Sequence, residues 1–291
     1  MIFCGSAVAL VTPFYANGEV NYLELKKLIE FQISSGTKAI VILGTTGESA
    51  TILPEERTKI IKFCVGQISK RVPLIVGTGS NSTKKAIEQT KEAEQLGADA
   101  VLIVSPYYNK TSQEGIVLHY KMIAKKTRIP IIIYNVPSRT GLNILPETVL
   151  KLSKIKRIVA IKDAGGNISQ SMKMLSILPR NFAVYSGDDL LTFPLLCLGA
   201  KGVISVTANA YPTLVSTMCE SVLEKNYENG LRIHNYLHKI NSDLFLDVNP
   251  ICIKFYLSLL GINVGETRLP LTSLSKENKL KLLNTKKIYE N

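Results

Sequence analysis

The sequence predicts a (β/α)8 barrel followed by a C-terminal helical extension. Three observations carry this. Eight short apolar, β-branched runs recur along the chain, at 7–11, 39–43, 74–77, 100–104, 131–134, 158–162, 182–186 and 202–206. Continuous apolar runs of this length suit strands buried on both faces of a parallel sheet. Segments of helical periodicity lie between them. Leu25, Leu28, Ile29 and Ile33 form one stripe; Ile60, Ile61, Cys64, Val65 and Ile68 form another. The same helix-to-strand junction also recurs, as Leu96-Gly97-Ala98-Asp99-Ala100-Val101, as Leu198-Gly199-Ala200-Lys201-Gly202-Val203, and as Ser35-Gly36-Thr37-Lys38-Ala39-Ile40. Glycine there suits the left-handed residue that closes a helix. A doubly wound sheet is the competing α/β arrangement.

After the eighth run, helical patterns cover 208–224, 227–260 (broken near Asn249-Pro250) and 275–288. The first completes a barrel over 1–224; the others form the extension, 225–291. With 291 residues and 46% hydrophobic content, the chain suffices for one barrel of roughly 250 residues plus that extension. Disorder is not expected beyond the last few residues.

Composition narrows the function classes. The net charge is +12, but the lysines are dispersed over helix surfaces (Lys26-Lys27, Lys84-Lys85, Lys125-Lys126, Lys286-Lys287) without interleaved aromatics, so nucleic-acid binding is not expected. Apolar runs of about five residues fall far short of the ~20 that span a bilayer. The N-terminus lacks a secretory pattern. The five cysteines (Cys4, Cys64, Cys197, Cys219, Cys252) have no C-x-x-C spacing and read as reduced thiols. A cytoplasmic protein is expected.

Barrel enzymes place chemistry at the carboxyl ends of strands. The sixth run closes on Ile161-Lys162-Asp163. A strand-end lysine often reaches solvent; one held in an apolar pocket is disfavoured as an ammonium and offers a nucleophilic amine. The fifth run ends Tyr134-Asn135-Val136-Pro137-Ser138-Arg139-Thr140-Gly141, with a rim tyrosine able to pass protons and an arginine whose fork suits a carboxylate. The second ends Gly44-Thr45-Thr46-Gly47-Glu48-Ser49, offering N–H groups and hydroxyls to a small anion. The fourth leads to Tyr107-Tyr108-Asn109. Gly77-Thr78-Gly79 lacks the third glycine of a dinucleotide loop. His234 and His238 have helical spacing but no third ligand, so no metal is expected. No Ser/His/Asp set can be assembled.

Together with Ser186-Gly187-Asp188-Asp189, these motifs occur in an order that closely resembles the dihydrodipicolinate synthase family of pyruvate-dependent class I aldolases, from Gly5 to the C-terminal helices. The resemblance implies condensation of pyruvate with L-aspartate 4-semialdehyde in diaminopimelate and lysine synthesis, through an imine on Lys162 and without a cofactor. It implies a proton relay of Tyr134, Thr46 and Tyr108, the last supplied by a neighbouring subunit. Thr45 and Thr46 would hold the pyruvate carboxylate, Arg139 that of the semialdehyde, and Gly187 and Ile204 would line the pocket. A homo-oligomer follows, at least a dimer and usually a dimer of dimers.

Two departures stand out. Asp163 replaces a frequent glutamate. At the lysine-feedback site of some members, Ser49, Ala50, Asn81 and Tyr107 match, whereas Pro54, Arg57 and Lys85 replace two histidines and a glutamate. Lys85 sets like charge against the ligand's ammonium, so inhibition by L-lysine tighter than roughly millimolar is not expected. The nearest rival activities are N-acetylneuraminate lyase and keto-deoxy sugar acid aldolases, which lack the full loop set. A non-catalytic barrel or a nicotinamide oxidoreductase fits the motifs less well.

Overall fold

Side chains alternate across a strand, so each apolar run is sorted into two sets. In the computed structural model, which describes residues 1–290, one set points into a closed barrel and the other toward surrounding helices. The strands are β1 (Gly5–Ala9), β2 (Ala39–Ile42), β3 (Leu74–Gly77), β4 (Ala100–Val104), β5 (Ile131–Asn135), β6 (Ile158–Asp163), β7 (Ala183–Ser186) and β8 (Gly202–Ser205). All pair in parallel and in sequence order, and β8 returns to β1 through Ser6↔Val203 and Ala7↔Ile204.

The lumen is lined largely by small residues: Ala7, Ala9, Ala39, Ala100, Ala160 and Ala183, with Val41, Ile75, Leu102, Ile132 and Ile204 between them. Eight strands leave only enough interior for side chains to fill it. The outward set (Val8, Ile40, Val76, Ile103, Ile133, Ile161, Val203) is larger and meets the helices. Phe3 closes the amino-terminal end, stacked on Tyr185 at 4.2 Å, while the Tyr185 hydroxyl donates to the Phe3 carbonyl at 2.8 Å.

Twelve helices are described: α1 (Tyr22–Ser34), α2 (Pro54–Ile68), α3 (Thr83–Gln95), α4 (Gln113–Ala124), α5 (Pro137–Thr140), α6 (Pro146–Ser153), α7 (Ile168–Ile177), α8 (Thr192–Cys197), α9 (Pro212–Leu223), α10 (Tyr227–Asp243), α11 (Ile251–Leu259) and α12 (Lys276–Glu290). The expected stripes on α1 and α2 face inward, with Leu25, Leu28, Ile29, Ile60, Ile61, Cys64 and Ile68 buried. Gly36, Gly97 and Gly199 follow their helices at positive φ (87°, 99° and 106°), as the repeated junction requires. No described helix is long and apolar enough to cross a membrane.

Several boundaries differ from expectation. β1 begins at Gly5 rather than residue 7, because the strand starts on a glycine that pairs with Gly202; a Cβ on Gly202 would lie 1.9 Å from the Gly5 carbonyl oxygen. Apolar patterning is blind to such a contact. The helix expected from 208 starts at Pro212, after a 3-10 turn over Thr207–Asn209. The pattern at 227–260 breaks at Asn249-Pro250 as expected, but the break is wider than one pair: α10 ends at Asp243, α11 starts at Ile251, and residues 244–250 between them deliver Asn249 to the β2 turn. The helix expected over 275–288 runs from Lys276 to Glu290. Residue 291, the end of the expected extension, lies outside the described residues.

Two histidines occupy packing roles. His234 stacks on Phe193 at 5.4 Å. His119 shares a 2.9 Å hydrogen bond with Thr83, and burial pushes its pKa down to about 4. An unfolded histidine titrates near 6.5, so below that pH the unfolded chain binds a proton that the folded chain refuses. Stability should therefore fall as pH drops from about 6.5 toward 4, by about 2 kcal/mol at pH 5 from His119 alone. Urea unfolding at pH 7 and pH 5 measures this; His119→Gln should flatten the slope, and an unchanged slope would contradict it. His234, also lowered by burial, contributes in the same direction.

Candidate active site

The position of Lys162 depends on a bulge. Ile131 pairs with Ile158, but Ile132 pairs with Ala160, so β6 carries one extra residue, Val159. Ile158 and Ile161 face the helices; Ala160 lies in the lumen, with Val159 packed against that same group. Strict alternation from Ile158 would have turned Lys162 outward. The extra residue reverses the parity and turns it inward, level with Tyr134 on β5 and Tyr185 on β7.

Lys162 is 5% exposed and Tyr134 is 7% exposed. The lysine Nζ lies 4.4 Å from the centroid of the Tyr134 ring. Among the ion pairs and side-chain hydrogen bonds of the described residues, none engages this amine. No acid competes with a substrate for it. Gly187 leaves the room the lysine uses: a Cβ there would sit 2.9 Å from Lys162 Cε and 3.1 Å from its Cγ. Gly187→Ala should displace the amine and lower kcat/KM roughly 10²-fold, as a misplacement near 1 Å does. Steady-state assay with pyruvate checks this, and parental activity would count against it.

The neighbouring residue points the other way. Asp163 Oδ1 accepts from Asn135 Nδ2 at 2.9 Å and from the Gly165 amide at 3.2 Å; its Oδ2 accepts from Ser171 at 2.6 Å. Asn135 in turn accepts from the Ile144 amide and donates to Asn143. This network ties the rims of β5 and β6 to α7. Asp189 does the same between β7 and β8, accepting from Ser205 and from the Val206 and Thr207 amides. Asp188 caps the short turn after β7 through the Leu190 amide, and burial pushes its carboxyl up. The acids of these motifs are structural.

The turn after β2 is held in an uncommon conformation. Leu43 and Glu48 have positive φ (54° and 55°) around Gly44-Thr45-Thr46-Gly47. Each costs on the order of 1 kcal/mol. Gly77 makes room for it: a Cβ there would lie 2.0 Å from the Leu43 carbonyl oxygen. Gly79 is likewise pressed on Val104, so the Gly77-Thr78-Gly79 segment serves close backbone packing. Thr12 donates to the Gly47 carbonyl at 2.7 Å. Thr46 is buried, and its Oγ1 accepts from Asn249 Nδ2 at 2.9 Å; Thr45 is half-buried.

No local signal marks Asn249 in the sequence, where Asn249-Pro250 reads only as a helix break. Its carbonyl also accepts from Arg139 Nη2 at 3.0 Å. Arg139 lies in α5, an unexpected single helical turn, and is exposed. One residue from beyond the barrel thus touches both the threonine turn and the arginine. Ile204 is fully buried in the lumen. Tyr108 stands apart: it is 92% exposed at φ +67°, with Tyr107 beside it at 40%. The remaining expected effector residues Ser49, Ala50 and Lys85 are exposed, and Asn81 is half-buried. Arg57 is buried against Glu92 (3.1 Å) and the Gly77 carbonyl (2.9 Å).

Comparison with known proteins assigns this arrangement. The model of the dihydrodipicolinate synthetase family matches residues 2–288. The chain belongs to that family. A 4-hydroxy-tetrahydrodipicolinate synthase of Geotalea uraniireducens (strain Rf4) is 49% identical over 288 residues, covering 99% of each chain. The crystal structure of dihydrodipicolinate synthase from Aquifex aeolicus superposes with a TM-score of 0.96 at 45% identity, over 99% of this chain and 98% of that one. The chloride-inhibited enzyme from Acinetobacter baumannii complexed with pyruvate gives 0.97 at 43% identity, over 100% and 99%. The family is one of lyases of the pyruvate-dependent class I aldolase type. Membership fits a barrel whose rim carries one buried, unpaired lysine beside a tyrosine.

Proposed function

We propose that the protein is a 4-hydroxy-tetrahydrodipicolinate synthase that condenses pyruvate with L-aspartate 4-semialdehyde on Lys162. The supporting observation is the amine itself: enclosed by the barrel, without an acidic partner, and 4.4 Å from the Tyr134 ring.

The chemistry needs a free amine. Lys162 attacks the keto carbon of pyruvate, and the resulting carbinolamine loses water to give a protonated imine. That imine withdraws electrons, so a methyl proton leaves and an enamine forms. The enamine carbon bonds to the aldehyde carbon of the semialdehyde, whose oxygen takes a proton and becomes a hydroxyl. The substrate's own amine then displaces Lys162 and closes the ring. Since that second amine comes with the substrate, the sequence of steps requires no cofactor.

In this reading Tyr134 carries protons at the imine, in a relay with Thr46 and with Tyr108 from a second copy of the chain. Thr45 and Thr46 receive the pyruvate carboxylate, Gly187 and Ile204 bound the pocket, and Arg139 receives the semialdehyde carboxylate. Thr46 already accepts from Asn249, which orients its O–H; half-buried Thr45 is the freer of the two hydroxyls. The exposure of Tyr108 supports an active unit of at least two chains; in this reading the chains assemble as a dimer of dimers in the cytoplasm. The set Ser49, Ala50, Asn81, Lys85 and Tyr107 is not an effective L-lysine site in this reading.

The deciding experiment is borohydride reduction in the presence of pyruvate, followed by peptide mass mapping. The adduct should appear on Lys162. Labelling of another residue, or none, would remove the basis of this reading.

A further inference from the structure

We propose that the buried Lys254–Glu48 ion pair is a positioning device, by which the segment beyond the barrel holds the threonine turn in register with Lys162. The proposal rests on the reading of Thr45 and Thr46 as the pyruvate-carboxylate site.

Glu48 directly follows Gly44-Thr45-Thr46-Gly47, and its amide closes the turn on the Thr45 carbonyl at 3.0 Å. Its carboxylate points away from the barrel. Oε1 lies 2.6 Å from Lys254 Nζ on α11, and the two side chains are 1% and 2% exposed. Oε2 accepts from the Arg268 amide at 2.9 Å. Lys254 is fixed on its other sides: it donates to the Glu266 carbonyl at 3.1 Å and lies 4.1 Å from the centre of the Phe14 ring. Arg268 covers the same ring and grips Glu56, Gly18 and Thr51. The turn is thus held by Thr12 from the β1 side and by Asn249, Lys254 and Arg268 from the C-terminal side.

Such a pair is poorly explained by stability alone. Desolvation of two charges offsets their attraction, and apolar residues of similar volume stabilise a buried site as well or better. What apolar residues do not supply is a fixed direction. A left-handed glutamate in a turn that must present two hydroxyls needs one. Lys254 also lines a cavity of about 310 Å³ with Phe255, Glu266, Thr267 and Leu274, so a side chain of another shape can be accommodated there.

The test uses the full chain carrying Lys254→Met together with Glu48→Gln, which removes both charges, leaves neither buried alone and keeps an acceptor for the Arg268 amide. The single Lys254→Met variant serves as the case expected to lose stability. The double variant should melt within a few degrees of the parent and should still trap pyruvate on Lys162 at saturating concentration. Its KM for pyruvate should rise at least tenfold per trapped site, and its KM for the semialdehyde less than threefold. A purely structural pair would change melting and the active fraction without that split. A double variant with parental KM for pyruvate would overturn the proposal while leaving Lys162 trapping intact. A parent protein that does not trap pyruvate on Lys162 would overturn the functional reading and this proposal together.

Discussion

Lys162→Met should abolish borohydride trapping and lower the condensation rate by on the order of 10⁴-fold or more, the scale on which enzymes lose rate with their covalent nucleophile. Methionine keeps most of the lysine stem, so the lumen around Ala160, Ile132 and Gly187 stays filled. The variant should also be at least as stable as the parent. In the parent an amine with no acidic partner is enclosed at 5% exposure, and enclosing it costs folding energy that a thioether does not require. A gain of about 1 kcal/mol in urea unfolding is expected, the usual sign of a site kept at the expense of stability. Loss of stability together with loss of activity would show that Lys162 serves packing. Retained turnover would show that the amine is not the nucleophile.

Asp163→Ala should act in the opposite sense, through the scaffold. Two buried donors, Asn135 Nδ2 and the Ser171 hydroxyl, and the half-buried Gly165 amide lose their acceptor at once. Partial rescue comes from Asn143 and the Asn167 carbonyl, to which Asn135 and Ser171 also donate. The net cost should be about 3–5 kcal/mol, the range for a buried charge-assisted cluster broken at its centre. For a chain of this size that lowers Tm by roughly 5–8 °C. Asp163→Asn keeps one acceptor oxygen and should cost about 1 kcal/mol. Because the same residue anchors the rim next to Lys162, kcat in Asp163→Ala should also fall about tenfold at a temperature where the protein is folded. Scanning calorimetry and steady-state assay check both; a Tm within 2 °C of the parent would refute the role assigned to the network.

These two adjacent residues show what was legible beforehand and what was not. The apolar runs, the glycine-closed helices and the order of the motifs all survive in the structure, because each is a local signal. Burial on both faces demands apolar runs, and a left-handed helix end favours glycine. The strand-end positions of Lys162, Tyr134, Thr45, Thr46 and Gly187 were readable for the same reason: each stands where an apolar run stops. Arg139 was readable in place, though not in its helical turn.

What patterning could not supply was direction and company. Lys162 faces the lumen because β6 has one more residue than its partner between Ile131 and Ile132, and a bulge is a property of two strands. Asn249 reaches Thr46 across 203 positions, and Glu48 reaches Lys254 across an equally long stretch of chain, on contacts that leave no periodicity in either segment. By itself, then, the sequence determined a closed parallel barrel, its helices and the candidate residues that stand at its strand ends, since these follow from hydrophobic period and strand ends. Only the tertiary structure decided which way the lysine turns and which distant side chains hold the threonines, because parity and long-range hydrogen bonds exist only once the strands have paired.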